Sequence, residues 1–344
     1  MTTSLLITGC AGFIGVNLVQ RILQTNNDSD LQVWGLDKLT YAANEPTLKD
    51  QLSAHSNYHF INADICSATD LTSAVAEAKP TGILHLAAES HVDTSIGSPG
   101  EFIQTNVVGT YELLTAAQRH YESLTADSQE SFRFLHISTD EVFGQLDAQQ
   151  PAFTEASQYL PNSPYSASKA ASDHFVRAWH HTYGLPAITT HCSNNYGPHQ
   201  HAEKLIPTVI RKAIAGEPIP VYGTGKNIRD WIHVEDHADA LLAVLGKGTI
   251  GTSYNIGGNC ERENLTLVKT ICDLLDEMHP QPDNHNNGAS YHEQISFVTD
   301  RPGHDFRYAV DISKIKSELE WQPARDFKEG LRQTVAWYIG QMTQ

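Results

Sequence analysis

The stretch LLITGCAGFIG, residues 5–15, places Gly9, Gly12 and Gly15 between an apolar run of strand type and a helical pattern. The first glycine permits a tight turn, the second lets backbone amides approach a pyrophosphate, and the third lets the helix pack closely on the strand. The helix N-terminus then faces the bound anion. Three glycines alone are weak evidence, but this position between a strand and a helix indicates a dinucleotide-binding unit.

A carboxylate stands where such a unit needs one. Asp37 ends the second apolar run, 22 residues after Gly15, and can accept hydrogen bonds from both hydroxyls of a ribose. Its charge would repel a 2'-phosphate, so NAD is expected rather than NADP, although the neighbouring Lys38 weakens this argument. Further cofactor contacts are expected after the next two strands, from Asp64, Ile65 and the LAAES segment (86–90). Plain packing of small residues would also explain LAAES.

Apolar runs alternate with helical patterns through the first 195 residues. Strands are predicted over residues 5–8, 33–36, 60–62, 83–86, 132–138 and 187–193. Helical spacing is found at Ile14, Leu18 and Ile22 and over residues 102–121 and 167–183. This alternation predicts an α/β fold, a Rossmann-type doubly wound parallel sheet whose ligands collect at the carboxyl ends of the strands.

The alternation weakens after NNYGP (194–198), where Pro, Gly and charged residues become denser. We therefore expect an NAD-binding Rossmann domain over residues 1–195, with 234–256 returning to its sheet. A smaller C-terminal substrate-binding lobe would comprise residues 196–233 and 257–344 and end in a helix over 327–342, with Leu331, Val335 and Tyr338 at helical spacing. Residues 279–290 have the composition of an exposed loop.

The charge balance limits the partners of the chain. Its 344 residues include 23 basic and 40 acidic side chains, a net charge of −17, without a run of Lys or Arg. Binding to nucleic acid or to an anionic membrane surface is therefore not expected. An anionic small substrate is compatible with this balance if a few cations gather locally.

Neither cysteines nor histidines predict a metal centre. The five cysteines are scattered, odd in number and free of CxxC spacing, which argues against both a disulfide framework and a zinc site. Among 18 histidines, His199 and His201 stand two apart but lack carboxylates or cysteines at ligand spacing. No signal-peptide pattern and no apolar segment of about 20 residues is found, so a cytoplasmic location is expected.

Two further segments carry candidate catalytic groups. In YSASK (165–169), Tyr165 and Lys169 lie four residues apart on one helix face, and the ammonium would lower the pKa of the phenol, making it a base. In HISTDEVFG (136–144), two adjacent carboxylates, Asp140 and Glu141, can converge on one ligand only where a strand gives way to a loop. The alternatives are ordinary helix surface for the first segment and a solvated, helix-capping turn for the second.

Together these segments resemble the extended short-chain dehydrogenase/reductase family. The similarity spans residues 5 to 337 and is carried by TGCAGFIG, DKLTYA, HLAAESHVD, HISTDEVFG, SPYSASK, CSNNYGP, EKLIP, RDWIHVEDHA, YNIGG and DRPGHD. Within the family the chain is most similar to nucleotide-sugar 4,6-dehydratases. The Thr-Asp-Glu element is the most specific part, because related epimerases and decarboxylases usually carry other residues there.

The resemblance implies a role for each catalytic residue. Tyr165 takes the proton of the sugar 4-hydroxyl, Thr139 positions that oxygen, and Lys169 binds the nicotinamide ribose while NAD takes the hydride. Glu141 then removes the C5 proton, and protonated Asp140 gives its proton to the departing 6-hydroxyl. Two protonation states are required, which a crowded, desolvated pair of carboxyl groups can supply.

The resemblance also implies the binding residues. Cofactor contacts are expected from Gly9, Gly12, Phe13, Ile14, Gly15, Asp37, Lys38, Leu39, Thr40, Asp64, Ile65, Leu86, Ala87, Ala88, Ser90, Thr105, Tyr165, Lys169 and Asn195. Substrate contacts are expected from Ser90, Thr139, Asn194, Lys204, Leu205, Pro220, Val221, Tyr222, Arg229, Asn264, Asp300, Arg301, Pro302, Gly303 and His304. Lys204, Arg229 and Arg301 are the cations that an acidic protein needs around a diphosphate.

Three departures from the family pattern bear on the substrate and its alternatives. Thr94 stands where many relatives have Arg, Phe143 where Tyr is common, and HQHA (199–202) where an aromatic-proline stretch is frequent. The resemblance implies dTDP-glucose as the substrate. Because HQHA lies near the expected base-binding region, UDP-glucose is the alternative. A 4-epimerase or decarboxylase and a silent NAD-binding regulator are the competing functions. The family further suggests a homodimer through helices near 102–121 and 165–183.

Overall fold

A seven-stranded parallel sheet forms the centre of the molecule. The computed structural model describes residues 3–25, 30–281 and 289–342. In chain order its strands are β1 (Thr3–Thr8), β2 (Leu31–Asp37), β3 (Tyr58–Asn62), β4 (Gly82–His85), β5 (Arg133–Thr139), β6 (Ala187–Cys192), β7 (Asn194–Tyr196), β8 (Ile219–Tyr222), β9 (Ile228–His233), β10 (Ser253–Ile256), β11 (Glu261–Glu263) and β12 (Ile295–Val298). The central order is β10-β6-β5-β4-β1-β2-β3, and all its pairs are parallel. The predicted doubly wound fold and its first six strands are confirmed.

Helices cover this sheet and build the rest of the chain. The α-helices are Phe13–Thr25, Glu45–Thr47, Ala68–Ala78, Val92–Gly97, Pro99–Phe102, Thr110–Ser123, Ala126–Ser131, Pro164–Tyr183, Leu205–Ile214, Val234–Lys247, Asn264–Met278, Ser313–Leu319 and Phe327–Met342. Leu48–Leu52 and Ile103–Gly109 are π-helical, and Asp140–Phe143 and Tyr291–Gln294 are 3₁₀-helical. The helix predicted over 102–121 is therefore interrupted by a π-helical stretch. No helix in the described ranges is long and apolar enough to cross a membrane.

The strand order places a crevice at the middle of the sheet. β1 pairs with β2 on one side and with β4 on the other, so the chain leaves β1 in one direction and later returns to its opposite edge. At such a switch point the connections after neighbouring strands cover opposite faces of the sheet. The glycine-rich turn after β1 opens into this crevice.

Three groups of apolar side chains hold the layers together. Two of them lie on either face of the central sheet, with Leu18 and Ile22 fully buried in one and Leu113 and Leu114 in the other. The third belongs to the helices of the C-terminal part and includes Val209, Ile210, Val268, Ile271, Leu331 and Val335. The helical spacing found in the last segment of the sequence thus corresponds to a buried face.

Residues 234–256 contribute a helix and a strand to the central layers. Val234–Lys247 packs against the first helix, Phe13–Thr25, and Ser253–Ile256 pairs in parallel with β6. The division into a cofactor domain and a smaller lobe stays a prediction. Of the loop predicted over 279–290, residues 282–288 lie outside the described part of the chain.

Candidate active site

A single continuous cavity runs along the carboxyl ends of the central strands. It is lined by residues that follow β1, β2, β4, β5 and β6, by the start of the helix Pro164–Tyr183, and by Lys204. One end is walled by the glycine-rich turn and Asp37, the other by Thr139, Asp140 and Glu141. The candidate cofactor and catalytic groups therefore share one space.

The three glycines of the first turn face different surroundings. A Cβ atom at Gly9 would lie 2.6 Å from the Ala87 nitrogen, and one at Gly15 would lie 2.1 Å from the Gly9 carbonyl oxygen. Gly9 also has a φ of +73°, which disfavours other residues. A Cβ at Gly12 would meet only the Gly9 oxygen, at 3.4 Å. Gly9 and Gly15 thus permit close backbone packing, whereas Gly12 leaves room on the cavity side for an anionic group at the helix N-terminus.

Asp37 is fixed at the other edge of this turn. Its carboxylate accepts hydrogen bonds from the backbone nitrogens of Ala11, at 3.0 Å, and Leu39, at 2.8 Å. Burial raises the pKa of Asp37, and the two backbone hydrogen bonds oppose that rise. A carboxylate oriented in this way, beside an open space, fits the ribose of a dinucleotide. These observations fit NAD.

Most predicted cofactor residues line the cavity, and two do not. Leu39 and Asp64 are absent from its lining. Asp64 instead accepts a hydrogen bond from the Cys66 nitrogen at 2.9 Å and lies 3.8 Å from the Lys38 ammonium. The prediction missed several lining residues, namely Leu36, Ala42, Ala43, Ala63, Ile137, Ser138, Cys192, Ser193, Gln200 and His201. Many of these residues end a strand or directly follow one, and this position was the sequence signal from which they could have been predicted.

The helix that carries Tyr165 and Lys169 begins earlier than its periodicity predicts. Ser163 caps it by a reciprocal capping box with Ser166, and Pro164 occupies the first turn. The cap places Tyr165 in the first turn, and both functional side chains are buried and line the cavity. Neither belongs to ordinary helix surface, so that alternative is wrong.

The pKa of Tyr165 differs from the expectation. Burial, and then the charge of Glu141, raise its pKa well above the ordinary value, while a hydrogen bond with Thr139 lowers it. The expectation that the Lys169 ammonium lowers this pKa is therefore wrong as a net direction. The Lys169 Nζ donates to the Ile137 carbonyl oxygen at 2.9 Å.

The two carboxylates lie where β5 changes into a 3₁₀-helix. Thr139 ends the strand and caps the turn, its Oγ1 accepting from the Glu141 nitrogen at 3.3 Å. The turn brings Asp140 and Glu141 to the same cavity, although neighbours on a strand would point to opposite faces. Asp140 is only 2% exposed, so the alternative of a solvated turn is wrong.

Asp140 and Glu141 are held in different electrostatic surroundings. Burial, and then the charge of Glu141, raise the pKa of Asp140 well above its ordinary value. Burial also raises the pKa of Glu141, but Arg229, Arg301 and Lys204 oppose that rise. The pKa of Asp140 is therefore raised further than that of Glu141, an order that suits Asp140 as the proton donor and Glu141 as the base.

Three cations surround the far end of the cavity. Lys204 donates to the Ser90 carbonyl oxygen at 2.9 Å, and Arg301 pairs with Asp93 at 3.0 Å. The Arg229 guanidinium lies 4.2 Å from the centre of the Tyr308 ring. An acidic chain has thus gathered positive charge locally, beside the carboxylate of Glu141.

The remaining predicted substrate residues are divided between the cavity and its surroundings. Ser90, Thr139, Asn194 and Lys204 line the cavity. Those outside its lining are Leu205, Pro220, Val221, Tyr222, Arg229, Asn264, Asp300, Arg301, Pro302, Gly303 and His304. Within that set His304 lies 2.6 Å from the Asp300 carboxylate. In the described part of the chain, no group of three or more His, Cys, Asp and Glu side chains could hold a metal ion.

Comparison with known proteins identifies similar chains over nearly the full length. The model of the family described as GDP-mannose 4,6 dehydratase matches residues 6–334. A dTDP-glucose 4,6-dehydratase of Neisseria gonorrhoeae is 52% identical over 341 residues, covering 99% of this chain and 97% of the relative. One from Xanthomonas campestris pv. campestris is 53% identical over 338 residues, covering 98% and 93%.

Solved structures give the same result. A dTDP-glucose 4,6-dehydratase of Streptomyces venezuelae, crystallised with NAD, superposes with a TM-score of 0.87 at 40% identity over 98% of both chains. A Bacillus anthracis dTDP-glucose 4,6-dehydratase in complex with NAD gives 0.85 at 39% identity, covering 99% of this chain and 98% of the other. A UDP-glucose 4-epimerase of Thermotoga maritima gives 0.82 at 24% identity, covering 98% and 99%, and shows the shared fold alone.

Proposed function

We infer that this chain, which belongs to the GDP-mannose 4,6 dehydratase family, converts dTDP-glucose to dTDP-4-keto-6-deoxyglucose and water. It is an NAD-dependent hydro-lyase. The observation that carries this function is the pair Asp140 and Glu141, which lie in one cavity with Tyr165 and Lys169. An epimerase has no leaving hydroxyl to protonate and needs no buried acid at the position of Asp140.

The first step oxidises C4 of the sugar. Tyr165, hydrogen-bonded with Thr139, accepts the proton of the 4-hydroxyl, and Lys169 provides positive charge close by. Bound NAD supplies the hydride acceptor for this step and the hydride donor for the last. Because burial raises the pKa of Tyr165, charge from the neighbouring ammonium is needed to form the phenolate.

The second step removes water across C5 and C6. The C4 ketone acidifies the C5 proton, which the Glu141 carboxylate accepts. The protonated carboxyl of Asp140 gives its proton to the 6-hydroxyl, which departs as water. The cations that oppose the pKa rise of Glu141 keep this base ionised, while burial keeps Asp140 protonated.

In the third step Glu141 returns a proton to C5, and bound NAD would return the hydride to C6. No net oxidation occurs, so catalytic NAD suffices. The water that leaves carries the 6-oxygen with the proton from Asp140.

The nucleotide diphosphate fits the cationic end of the cavity. Lys204 lines the cavity itself, and Arg301 and Arg229 lie close enough to influence Glu141. Arginine forks and an ammonium are suited to phosphate oxygens. We expect dTDP to be preferred over UDP, because the relatives at 52–53% identity are dTDP-glucose enzymes.

The expected homodimer is part of this proposal. Large apolar side chains are exposed on the two helical segments that the family uses, with Ile103 57%, Tyr111 43% and Tyr183 54% exposed. Burying such side chains between two copies would be favourable. We also propose a cytoplasmic location, since all five cysteines are free, as is usual in reducing compartments.

A labelling experiment tests the function. The protein with NAD is given dTDP-glucose, UDP-glucose or GDP-mannose deuterated at C4, and the products are analysed by mass spectrometry and NMR. We expect dTDP-glucose to lose one water and to carry the deuterium at C6, without crossover between labelled and unlabelled molecules of different mass. Return of the label to C4 without loss of water would indicate an epimerase, and no movement of label would indicate a binding protein.

A further inference from the structure

A buried acid lies one helical turn beyond Lys169. The Oδ1 of Asp173 is 3.0 Å from the His136 Nε2, and its Oδ2 accepts hydrogen bonds from Ser138, at 2.9 Å, and Tyr159, at 3.1 Å. Asp173 is 4% exposed and does not line the cavity. Three hydrogen-bond donors thus hold the Asp173 carboxylate one helical turn beyond Lys169.

Two histidines belong to this hydrogen-bonded cluster. Tyr159 donates to Asp173, so its oxygen accepts from the His191 Nε2, 2.6 Å away. His136 likewise donates through Nε2. The Nδ1 atoms of both rings are buried and have no hydrogen-bond partner in the described part of the chain. A protonated His136 ring would leave a buried N–H donor unpaired at Nδ1, so this histidine is neutral.

The carboxylate of Asp173 stays charged in this setting. Burial by itself would raise the pKa of Asp173, but the hydrogen bond from His136 and the His191 Nε2, which also lies 3.3 Å from the Asp173 Oδ2, outweigh burial and hold the pKa well below its ordinary value. Burial lowers the pKa of His136 to about 4. Asp173 is therefore the anionic member of the cluster.

That charge has no equivalent among the other groups around Lys169. The groups that face the ammonium are His85 of β4, His136 of β5, Cys192 of β6, and Asp173 of its own helix. Burial raises the pKa of the Cys192 thiol to about 12 and lowers that of His85 well below its ordinary value. Asp140 and Glu141 lie beyond Tyr165, in the reacting part of the cavity. Asp173 is thus the fixed anion next to Lys169.

We propose that Asp173 is a positioning residue that acts through Lys169, keeping its side chain an ammonium while Tyr165 accepts the 4-hydroxyl proton. The inference rests on the proposed function, in which that proton transfer begins the reaction. Burial of Lys169 favours the neutral amine, and Asp173 is the principal group that opposes this effect. Asp173 touches neither substrate nor cofactor.

The test is the pH dependence of the Asp173→Asn variant. An amide is close in shape to the carboxylate, and its oxygen can keep the hydrogen bonds from Ser138 and Tyr159. Loss of the charge lowers the pKa of Lys169, so activity that needs the ammonium is lost earlier as pH rises. We expect the alkaline limb of the pH profile for the rate of NAD reduction to move down by about one pH unit. Calorimetric Kd values for NAD and dTDP-glucose should stay within about twofold of the original protein.

Two control variants separate charge from structure. Asp236 is also buried, at 3% exposure, and its carboxylate pairs with Arg325 at 2.7 Å, outside the cavity. Asp236→Asn should lower stability without moving the alkaline limb. Tyr159→Phe removes one hydrogen-bond donor to Asp173 but keeps the negative charge. The alkaline limb of its pH profile should therefore stay in place or move to higher pH.

The outcomes are distinguishable. The inference is overturned if Asp173→Asn is active and the alkaline limb of its pH profile does not move. It is also overturned if the alkaline limb of Tyr159→Phe moves to lower pH. The second variant can be measured even if Asp173→Asn does not fold. An equal shift in Asp236→Asn would assign the effect to lost stability and also overturn it. The profile is recorded by NADH absorbance in the first half-reaction. If the unmodified protein reduces NAD with a nucleotide sugar but releases no water, the proposed function fails while the role of Asp173 remains testable.

Discussion

Asp140 and Glu141 are adjacent in the chain and share a cavity, yet different neighbouring charges act on their pKa values. Arg229, Arg301 and Lys204 all oppose the effect of burial on Glu141. Asp140 is faced by the charges of Glu141 and Asp230, and among the cations chiefly by Arg229. The surroundings therefore differ although the residue types are alike, which supports the proposal of an acid beside a base.

Glu141→Gln is expected to oxidise C4 but to stall before loss of the C5 proton. An amide cannot accept that proton, and positioned bases typically contribute about 100 to 10,000-fold to the rate. Solvent deuterium exchange at C5, followed by NMR, measures this step. Exchange at the original rate would contradict the assignment of the base.

Asp140→Asn should slow elimination while leaving C5 exchange detectable. The amide cannot give a proton to the 6-hydroxyl, so the rate of water loss should fall by about 100-fold or more. In the original protein, elimination should also weaken as pH rises through the raised pKa of Asp140, since the protonated form is the donor. Exchange equal to that of Glu141→Gln would show that the two roles are misassigned.

Tyr165→Phe should bind dTDP-glucose but fail to reduce NAD. The phenyl ring fills the same volume without an oxygen to accept the 4-hydroxyl proton. Stopped-flow absorbance at the NADH wavelength reports the step, and Tyr159→Phe, which removes a buried hydroxyl outside the cavity, is the matched control. Normal NADH formation in Tyr165→Phe would exclude it as the base.

Asp37→Ala should weaken NAD binding and relax discrimination against NADP. Loss of a charged hydrogen-bond acceptor costs about 1.5–3 kcal/mol, or about 10 to 150-fold in Kd. Asp127→Ala is the control, because Asp127 is an exposed carboxylate outside the cavity lining. Calorimetric titration with both dinucleotides measures the change. If the preference for NAD persisted in Asp37→Ala, another group would have to be the ribose ligand.

The glycines of the first turn should respond differently to alanine. Gly15→Ala places a Cβ 2.1 Å from a backbone oxygen and should lower the free energy of unfolding by about 2 kcal/mol or more. Gly12→Ala meets only one atom, at 3.4 Å, so stability should be kept while NAD binding weakens by about tenfold or more. Urea unfolding and NAD titration of both variants measure this. Equal stability losses would contradict the separate roles.

The sequence by itself determined the fold and the position of the cofactor site. Strand and helix periods are local properties, and glycine spacing after β1 acts through a local turn, so both can be predicted without knowledge of distant contacts. The four-residue spacing that places Tyr165 and Lys169 on one helix face is a local property in the same sense. The helix begins at Pro164, one residue before the YSASK segment that was predicted to start it.

The tertiary structure decided the charge states. Burial and Glu141 set the net direction of the Tyr165 pKa, opposite to the prediction from Lys169 alone. Arg229 and Arg301, far away in the chain, act on Glu141, and Asp173 meets donors from β5 and from Tyr159. Desolvation and Coulomb interactions depend on distances through space, which the order of residues does not give. The sequence could therefore identify the reacting groups, but only folding establishes which of them holds a proton.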